Sequence, residues 1–307
     1  MRERKTMANE ITQAKPQGIA TWLANPKVKE NVVSVVGDKD AQRFISSIVS
    51  AVQTNPTLAE CTNTSILNAA LLGQSLGLPQ SPQLAFFYFV PYNNNKKDSS
   101  GRTHQVKEAT FQMSWKGYVQ LAMRSVQYKK LNVTDIREGE LVSYNPITEE
   151  ITFDAETDFA KRESLPVIGY YAMFELKNGF SKFVYWSKAQ MEAHASKYSK
   201  SYQSDKKYNA KKSFWTTDFD AMAKKTVIRQ LISKYGVMSV EMQTAYTSDM
   251  AVIGEDGNPD YVDNKPQIAP ATDVYTESVV ADVEATEKDW FDATDDEITA
   301  QANEVFK

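Results

Sequence analysis

The chain has 307 residues, 42% of them hydrophobic, enough to bury a sizeable core in one large or two medium domains. No stretch is long and apolar enough to span a bilayer, no charged start leads into a signal-like run, and the single cysteine, Cys61, excludes an internal disulfide or a multi-cysteine metal site; a cytoplasmic protein is expected. The net charge of −4 conceals a division: residues 249–307 carry 16 acidic and 3 basic side chains, which leaves residues 1–248 with a net of +9 and points to a polyanionic partner for that basic body.

Residues 1–18 are polar and without periodicity, and are expected to be disordered. "IATWLANPKVKENV" predicts a short helix interrupted at Pro26. "DKDAQRFISSIVSAVQTNP" predicts an amphipathic helix with Phe44, Ile45, Ile48, Val49 and Val52 on its apolar face, closed before Pro56. In "CTNTSILNAALLGQSLGLP" a Thr/Asn cluster caps a helix that presents Ile66, Leu67, Ala70 and Leu71, and Gly77 to Pro79 end it. Residues 19–80 are therefore expected to form a helical lobe.

The pattern then changes. "LAFFYFVPY" and "EATFQMSW" read as strands joined by a flexible polar loop, "NNNKKDSSGRTHQVK". Ser114 caps a helix over "WKGYVQLAMRSVQ", with Trp115, Val119, Ala122, Met123 and Val126 on its apolar face and Lys116, Gln120, Arg124 and Gln127 on a polar stripe. "LNVTDIREGE" is strand-like, and Asn178-Gly179 between two β-rich runs is a hairpin signal. Ser187 caps "KAQMEAHASKY", a lysine-rich linker follows, and Phe214 and Trp215 open a helix that continues through "FDAMAKKTVIRQLISKYG". Helices, then sheet, then helices make an α+β fold, with residues 81–248 as its second part. Residues 249–307 are rich in Asp, Glu, Thr, Ala and Pro and are expected to be largely disordered, with a short terminal helix or docking motif over "DDEITAQANEVF" below Trp290 and Phe291.

Several chemistries are excluded. There is no G-x-x-x-x-G-K-[ST] loop, no G-x-G-x-x-G after a strand and no H-E-x-x-H. With only His104 and His194 present, a zinc site is not expected; His194 reads as a surface or helix-packing residue and Cys61 as a structural thiol near the surface. One enzymatic alternative stands: Asp154 with Glu175 and Lys177 echoes the D…E-x-K arrangement of metal-dependent nucleases, in which two carboxylates hold Mg²⁺. E-x-K is a very common tripeptide, and here it runs into a hairpin turn.

The charge of the last basic helix is more informative. On a wheel, Ala221, Ile228, Leu231, Ile232 and Tyr235 share the core face, with Met222, Lys225 and Arg229 beside it. Lys224 falls within the apolar stripe, where it must snorkel out or meet an anion. The stretch from Lys188 to Lys234 holds 11 lysines and arginines against four acidic residues. Lysine and arginine neutralise phosphates while aromatic side chains touch bases without reading sequence, so this pattern suits a nucleic-acid track. The first-turn amides near Ser114 and Trp115 can also receive a phosphate.

At these residues the chain resembles the RecT/Red-beta family of phage-type single-strand annealing proteins, specifically its RecT branch. The resemblance runs over roughly residues 20–245. It is carried by "SILNAALLGQSLGL", "AFFYFVPY", "FQMSWKGYVQLAMRSVQY", "IREGE", "GYYAMFELKNGF" and "MAKKTVIRQLISKYG" in that order. Trp115 stands where the family usually has tyrosine, which keeps the aromatic ring and loses a phenol hydroxyl. The resemblance implies ATP-independent binding and annealing of single-stranded DNA by a ring or helical filament, and a β-β-β-α core beside the helical lobe. It places Lys224, Lys225 and Arg229 in a basic groove, with Trp115, Lys116, Gln112 and Arg124 as further candidates. It implies no catalytic residues, no metal site and no required cofactor, although Mg²⁺ is compatible with it. Implied partners are the complementary strand, further subunits and, through the carboxy-terminal region, a 5′→3′ exonuclease or a single-strand-binding protein. Trp290, Phe291 and Ile298 are the tail residues suited to such docking.

Overall fold

The computed structural model describes residues 18–97, 100–254 and 256–261. The expectations for the first residues and for the Trp290, Phe291 and Ile298 motif lie outside them. The described residues begin with helices α1 (Ile19–Leu23), α2 (Pro26–Val36) and α3 (Asp38–Thr54), a 3-10 turn (Pro56–Glu60) and α4 (Asn63–Ser75). Pro26 does not merely interrupt a helix. It occupies the first turn of α2, where its missing N–H costs no hydrogen bond, and Asn25 caps Lys27. Thr62 caps α4 by accepting from the Ser65 amide at 3.4 Å.

Two long strands follow, β1 (Phe87–Lys97) and β2 (Thr103–Met113), then α5 (Trp115–Arg124). The expected flexible loop between the strands is much shorter than its polarity suggested, because β1 and β2 stay in register out to Lys97 opposite Thr103. This outer arm buries little, so its ladder hydrogen bonds leave no hydrophobic trace in the sequence. Next come β3 (Tyr128–Arg137), the hairpin strands β4 (Leu141–Asn145) and β5 (Glu150–Phe153), α6 (Phe159–Ser164), β6 (Val167–Leu176) and β7 (Ser181–Ser187). The β6–β7 hairpin turns where expected, with Gly179 at φ +88°, a conformation that favours glycine. The last elements are α7 (Lys188–Tyr198), α8 (Lys200–Tyr208), α9 (Phe214–Thr217), α10 (Phe219–Tyr235), α11 (Val240–Ser248), β8 (Ala251–Ile253) and β9 (Pro259–Tyr261).

The fold is α+β, with four α-helices first and a sheet core with interspersed and flanking helices after them. One antiparallel sheet has the order β1-β2-β8-β9, a second has the order β3-β6-β7, and β4-β5 form a separate two-stranded ribbon. Helix α4 packs on β1, β2 and β8, which joins the helical lobe to the first sheet in one hydrophobic core. Helix α10 packs against α5 and against β3, β6 and β7.

Several expectations are corrected. The lysine-rich linker is the helix α8, and Phe214 and Trp215 form their own turn, α9, which Asp218 separates from α10 while capping the Ala221 amide. Helix α5 stops at Arg124. Met123 and Val126, expected on its apolar face, are exposed, whereas Tyr118 and Leu121 are buried. Residues 249–253, expected in the tail, belong to the fold: Asp249 and β8 are buried and β8 pairs with β2 through Phe111 and Ala251. A three-residue strand is too short to show a period, so composition alone does not reveal β8.

Candidate nucleic-acid interface

The junction between β2 and α5 is built by close backbone approach. Ser114 caps α5, its hydroxyl accepting from the Gly117 amide (3.1 Å) and donating to the Ala85 carbonyl (2.6 Å), while its own amide donates to the Phe86 carbonyl (2.9 Å). A Cβ on Gly117 would stand 2.2 Å from that Phe86 oxygen, so only glycine lets the first turn of α5 sit against the chain entering β1. Trp115 and Lys116 are thereby held at the mouth of a cleft of about 310 Å³, with the Lys116 ammonium 5.8 Å from the Trp115 ring centre. Gln112 and Lys225 line the same cleft. Tyr88 and Phe214 add two exposed rings, 6.4 Å apart and inclined by 27°. Four of the seven expected site residues therefore converge there: Gln112, Trp115, Lys116 and Lys225.

The other three stand apart from that lining, and Lys224, Lys225 and Arg229 of α10 each have a carboxylate within the fold. Lys225 is buried rather than placed at a groove edge. Its ammonium donates to Asp249 at 2.8 Å, and burial pushes it below the usual lysine range against the pull of that carboxylate. The same Asp249 oxygen accepts from the Met113 amide at 2.9 Å. The other accepts from the Tyr118 hydroxyl at 3.0 Å and lies 3.6 Å from Arg229 Nε. Arg229 also stacks on Tyr246, its guanidinium carbon 4.0 Å from the ring centre. Lys224, expected in the apolar stripe, is partly exposed and pairs with Asp135 at 2.7 Å. The anion it needed is a carboxylate of β3.

The wheel failed for a physical reason. Ala223, Lys225, Val227, Ile228, Leu231 and Ile232 are the buried residues of α10, and they span about 200° of its circumference at 100° per residue. A helix covered on more than half its surface has no single stripe, so the stripe chosen from apolar residues alone misplaced both lysines.

The "IREGE" segment encloses a second charged cluster. Asp135 accepts from Arg137 Nε at 2.7 Å, and Glu140 accepts from Arg162 Nε at 2.5 Å and from the Arg137 amide at 2.7 Å. Burial raises both carboxyls, but the cations outweigh it and hold Asp135 and Glu140 below their usual ranges. Arg124 is used elsewhere: it donates to the Leu76 and Gly77 carbonyls at 2.7 Å each, closing the end of α4.

The nuclease alternative finds no support. Glu175 is held by Lys129 (2.5 Å) and Lys130 (3.2 Å), and among the described residues no group of three or more His, Cys, Asp or Glu side chains is placed to hold a metal ion. His194 is a helix-packing residue between Trp186, Tyr198 and Trp215, and burial holds its imidazole below the usual range. Cys61 is buried rather than near the surface, and burial pushes its thiol up to about 12. Asp249, Tyr118 and Asp135 were missed as site residues. No periodic signal marks them, since each matters through partners distant in sequence. Among the described residues, no helix is long and apolar enough to cross a membrane.

Comparison with known proteins agrees with the motif series. The chain is 40% identical over 259 residues to the protein YqaK of Bacillus subtilis strain 168, covering 84% of this chain and 79% of that one. It is 28% identical over 247 residues to Protein RecT of Escherichia coli K12, covering 80% and 85%. Residues 42–268 match the RecT family, a span that includes the β1–β2 hairpin, the α5 junction, the α10 lysines and Asp249. The chain belongs to the RecT family.

Proposed function

We propose that this chain is an ATP-independent protein that binds single-stranded DNA and anneals complementary strands in phage-type homologous recombination, with no bond-making chemistry of its own. The observation that carries this reading is the cleft. It gathers Gln112 from β2, Trp115 and Lys116 from α5, and Lys225 from α10, with Tyr88 and Phe214 alongside. Lys116 for a phosphate beside the aromatic faces of Trp115, Tyr88 and Phe214 for bases suits sequence-independent binding. The α5 amino-terminus adds amide partial charge at the cleft mouth. Strand pairing is downhill, so the absence of a nucleotide-binding loop from the sequence fits a protein that holds a strand until its complement arrives. Oligomers extend the track from one cleft to the next. Mg²⁺ is not required. The setting is the cytoplasm of a bacterial host, and the acidic residues past the fold contact an exonuclease or a single-strand-binding protein.

Lys225 and Arg229 have an internal partner in Asp249. Replacing those two residues disturbs the core, so DNA binding is better probed at the cleft mouth with Lys116→Glu and Phe214→Ala. Removing one stacking ring costs about 1–3 kcal/mol, roughly 5- to 150-fold in affinity. Reversing Lys116 flattens the dependence of affinity on salt. Two complementary oligonucleotides added in sequence without ATP read both binding and annealing. A folded double variant with parental affinity and salt slope refutes this placement of the strand.

A further inference from the structure

A lysine-rich segment of the fold lies outside the cleft lining. Between Lys188 and Lys212 there are seven lysines and two acidic residues, Glu192 and Asp205. All seven lysines are exposed, and among the described residues none of them forms a salt bridge. Lys129, Lys161, Lys182 and Lys224, by contrast, each lie beside a carboxylate.

Among the described residues Asp205 forms no salt bridge with this face; it is buried and engaged by two backbone amides and the Thr216 hydroxyl. It accepts from the Lys212 amide (2.9 Å), the Ser213 amide (2.7 Å) and the Thr216 hydroxyl (2.7 Å). Those bonds fix the segment between α8 and α9, with Asn209 in the left-handed region ending α8. The lysines also lie over aromatic rings: Lys197 over Tyr198 (5.1 Å), Lys206 over Tyr202 (4.6 Å) and Lys207 over Tyr208 (5.0 Å). A ring face orients an ammonium without cancelling its charge, which leaves that charge for an external anion. The face runs in sequence through Lys211 and Lys212 into Ser213 and Phe214, and Phe214 is a wall of the cleft.

We infer that the α7–α8 lysine–tyrosine face is the docking track for the incoming complementary strand, separate from the cleft that holds the first. This rests on the proposed annealing reading and adds the partner of a second surface. A bound first strand repels its complement, because both carry one charge per nucleotide. A set of exposed ammonium groups without carboxylate partners among the described residues, leading in sequence to Phe214 of the cleft, offsets that repulsion and raises the local concentration of the second strand. The charge is polyanion-complementary and carries no shape for one sequence, as pairing of any complement demands.

The test replaces Lys206, Lys207, Lys211 and Lys212 together with alanine in the full chain, with Lys211→Glu plus Lys212→Glu as a milder second variant. First-strand affinity, annealing rate across a salt series and subunit assembly are measured. The expected result is first-strand affinity within about twofold of the parent and an annealing rate reduced about tenfold or more at low salt, with a flatter salt dependence. An unchanged annealing rate overturns the inference. So does a loss of first-strand affinity, which assigns the face to the first strand, or a loss of assembly with annealing intact per assembled subunit, which assigns it to contacts between copies. Failure of the parental protein to bind or anneal at all overturns the annealing reading itself and is told apart by that control.

Discussion

Asp249→Asn removes the charge from the one carboxylate that ties β2, α5 and α10 together. The Asp249 side chain is 1% exposed and that of Lys225 6%, so solvent screens this pair little. At 2.8 Å and an effective dielectric constant of about 20, their gross attraction is about 6 kcal/mol. Desolvation offsets part of that, and breaking a buried pair by changing one partner typically costs about 3–5 kcal/mol, because the other charge stays behind unpaired. Asparagine keeps an acceptor for either the Met113 amide or Lys225, but it also brings an NH₂ toward a site already crowded with donors. For a fold of this size the cost corresponds to a fall of roughly 6–20 °C in melting temperature. Urea and thermal unfolding of Asp249→Asn, Lys225→Met and the double variant measure it. The double variant should recover much of the loss, since it removes both charges. A single variant within 1 kcal/mol of the parent, or a double variant no better than Asp249→Asn, refutes the hub.

Three further predictions follow from the same geometry. A chain ending at Ser248 loses Asp249 and β8 and should aggregate or unfold, while one ending at Tyr261 keeps both and should unfold cooperatively near the parental temperature; circular dichroism on heating separates them. Val126→Gly should raise stability by about 0.5–1 kcal/mol. This exposed β-branched residue sits at φ +58° just past α5, and relief of about 1–2 kcal/mol of strain exceeds the entropy glycine adds to the unfolded chain; urea midpoints report it. For Asp135 the folded carboxyl is held below its unfolded value, so its stabilisation is present above the usual carboxylate range and is lost as pH falls through the folded value. The gap in urea midpoint between the parent and Asp135→Asn should therefore be open at pH 7 and close in strong acid.

The helical lobe, the β6–β7 hairpin and the capped starts of α4, α5 and α7 were legible because each depends on neighbours within a few residues. Periodicity, Asn178-Gly179 and Thr62, Ser114 and Ser187 all act locally. Trp115, Lys116 and Gln112 could be placed together for the same reason, since one strand–helix junction holds all three. Helix α8 was hidden because its lysines and tyrosines bury only Asp205, and the β1–β2 arm because it buries little along its outer half.

By itself the sequence determined the order of helices and sheets, the basic body with its acidic end, the motif series of the family and the absence of a nucleotide-binding loop. These depend on residue type and local spacing, which a linear chain displays directly. Only the tertiary structure decided which cations face outward. Lys224, Lys225 and Arg229 look alike in sequence, but Asp135 and Asp249, brought from β3 and from the end of α11, turn all three into internal partners. Among the described residues the lysines of α7 and α8 meet no such carboxylate, and a charge is available to a polyanion only where folding has supplied no closer partner.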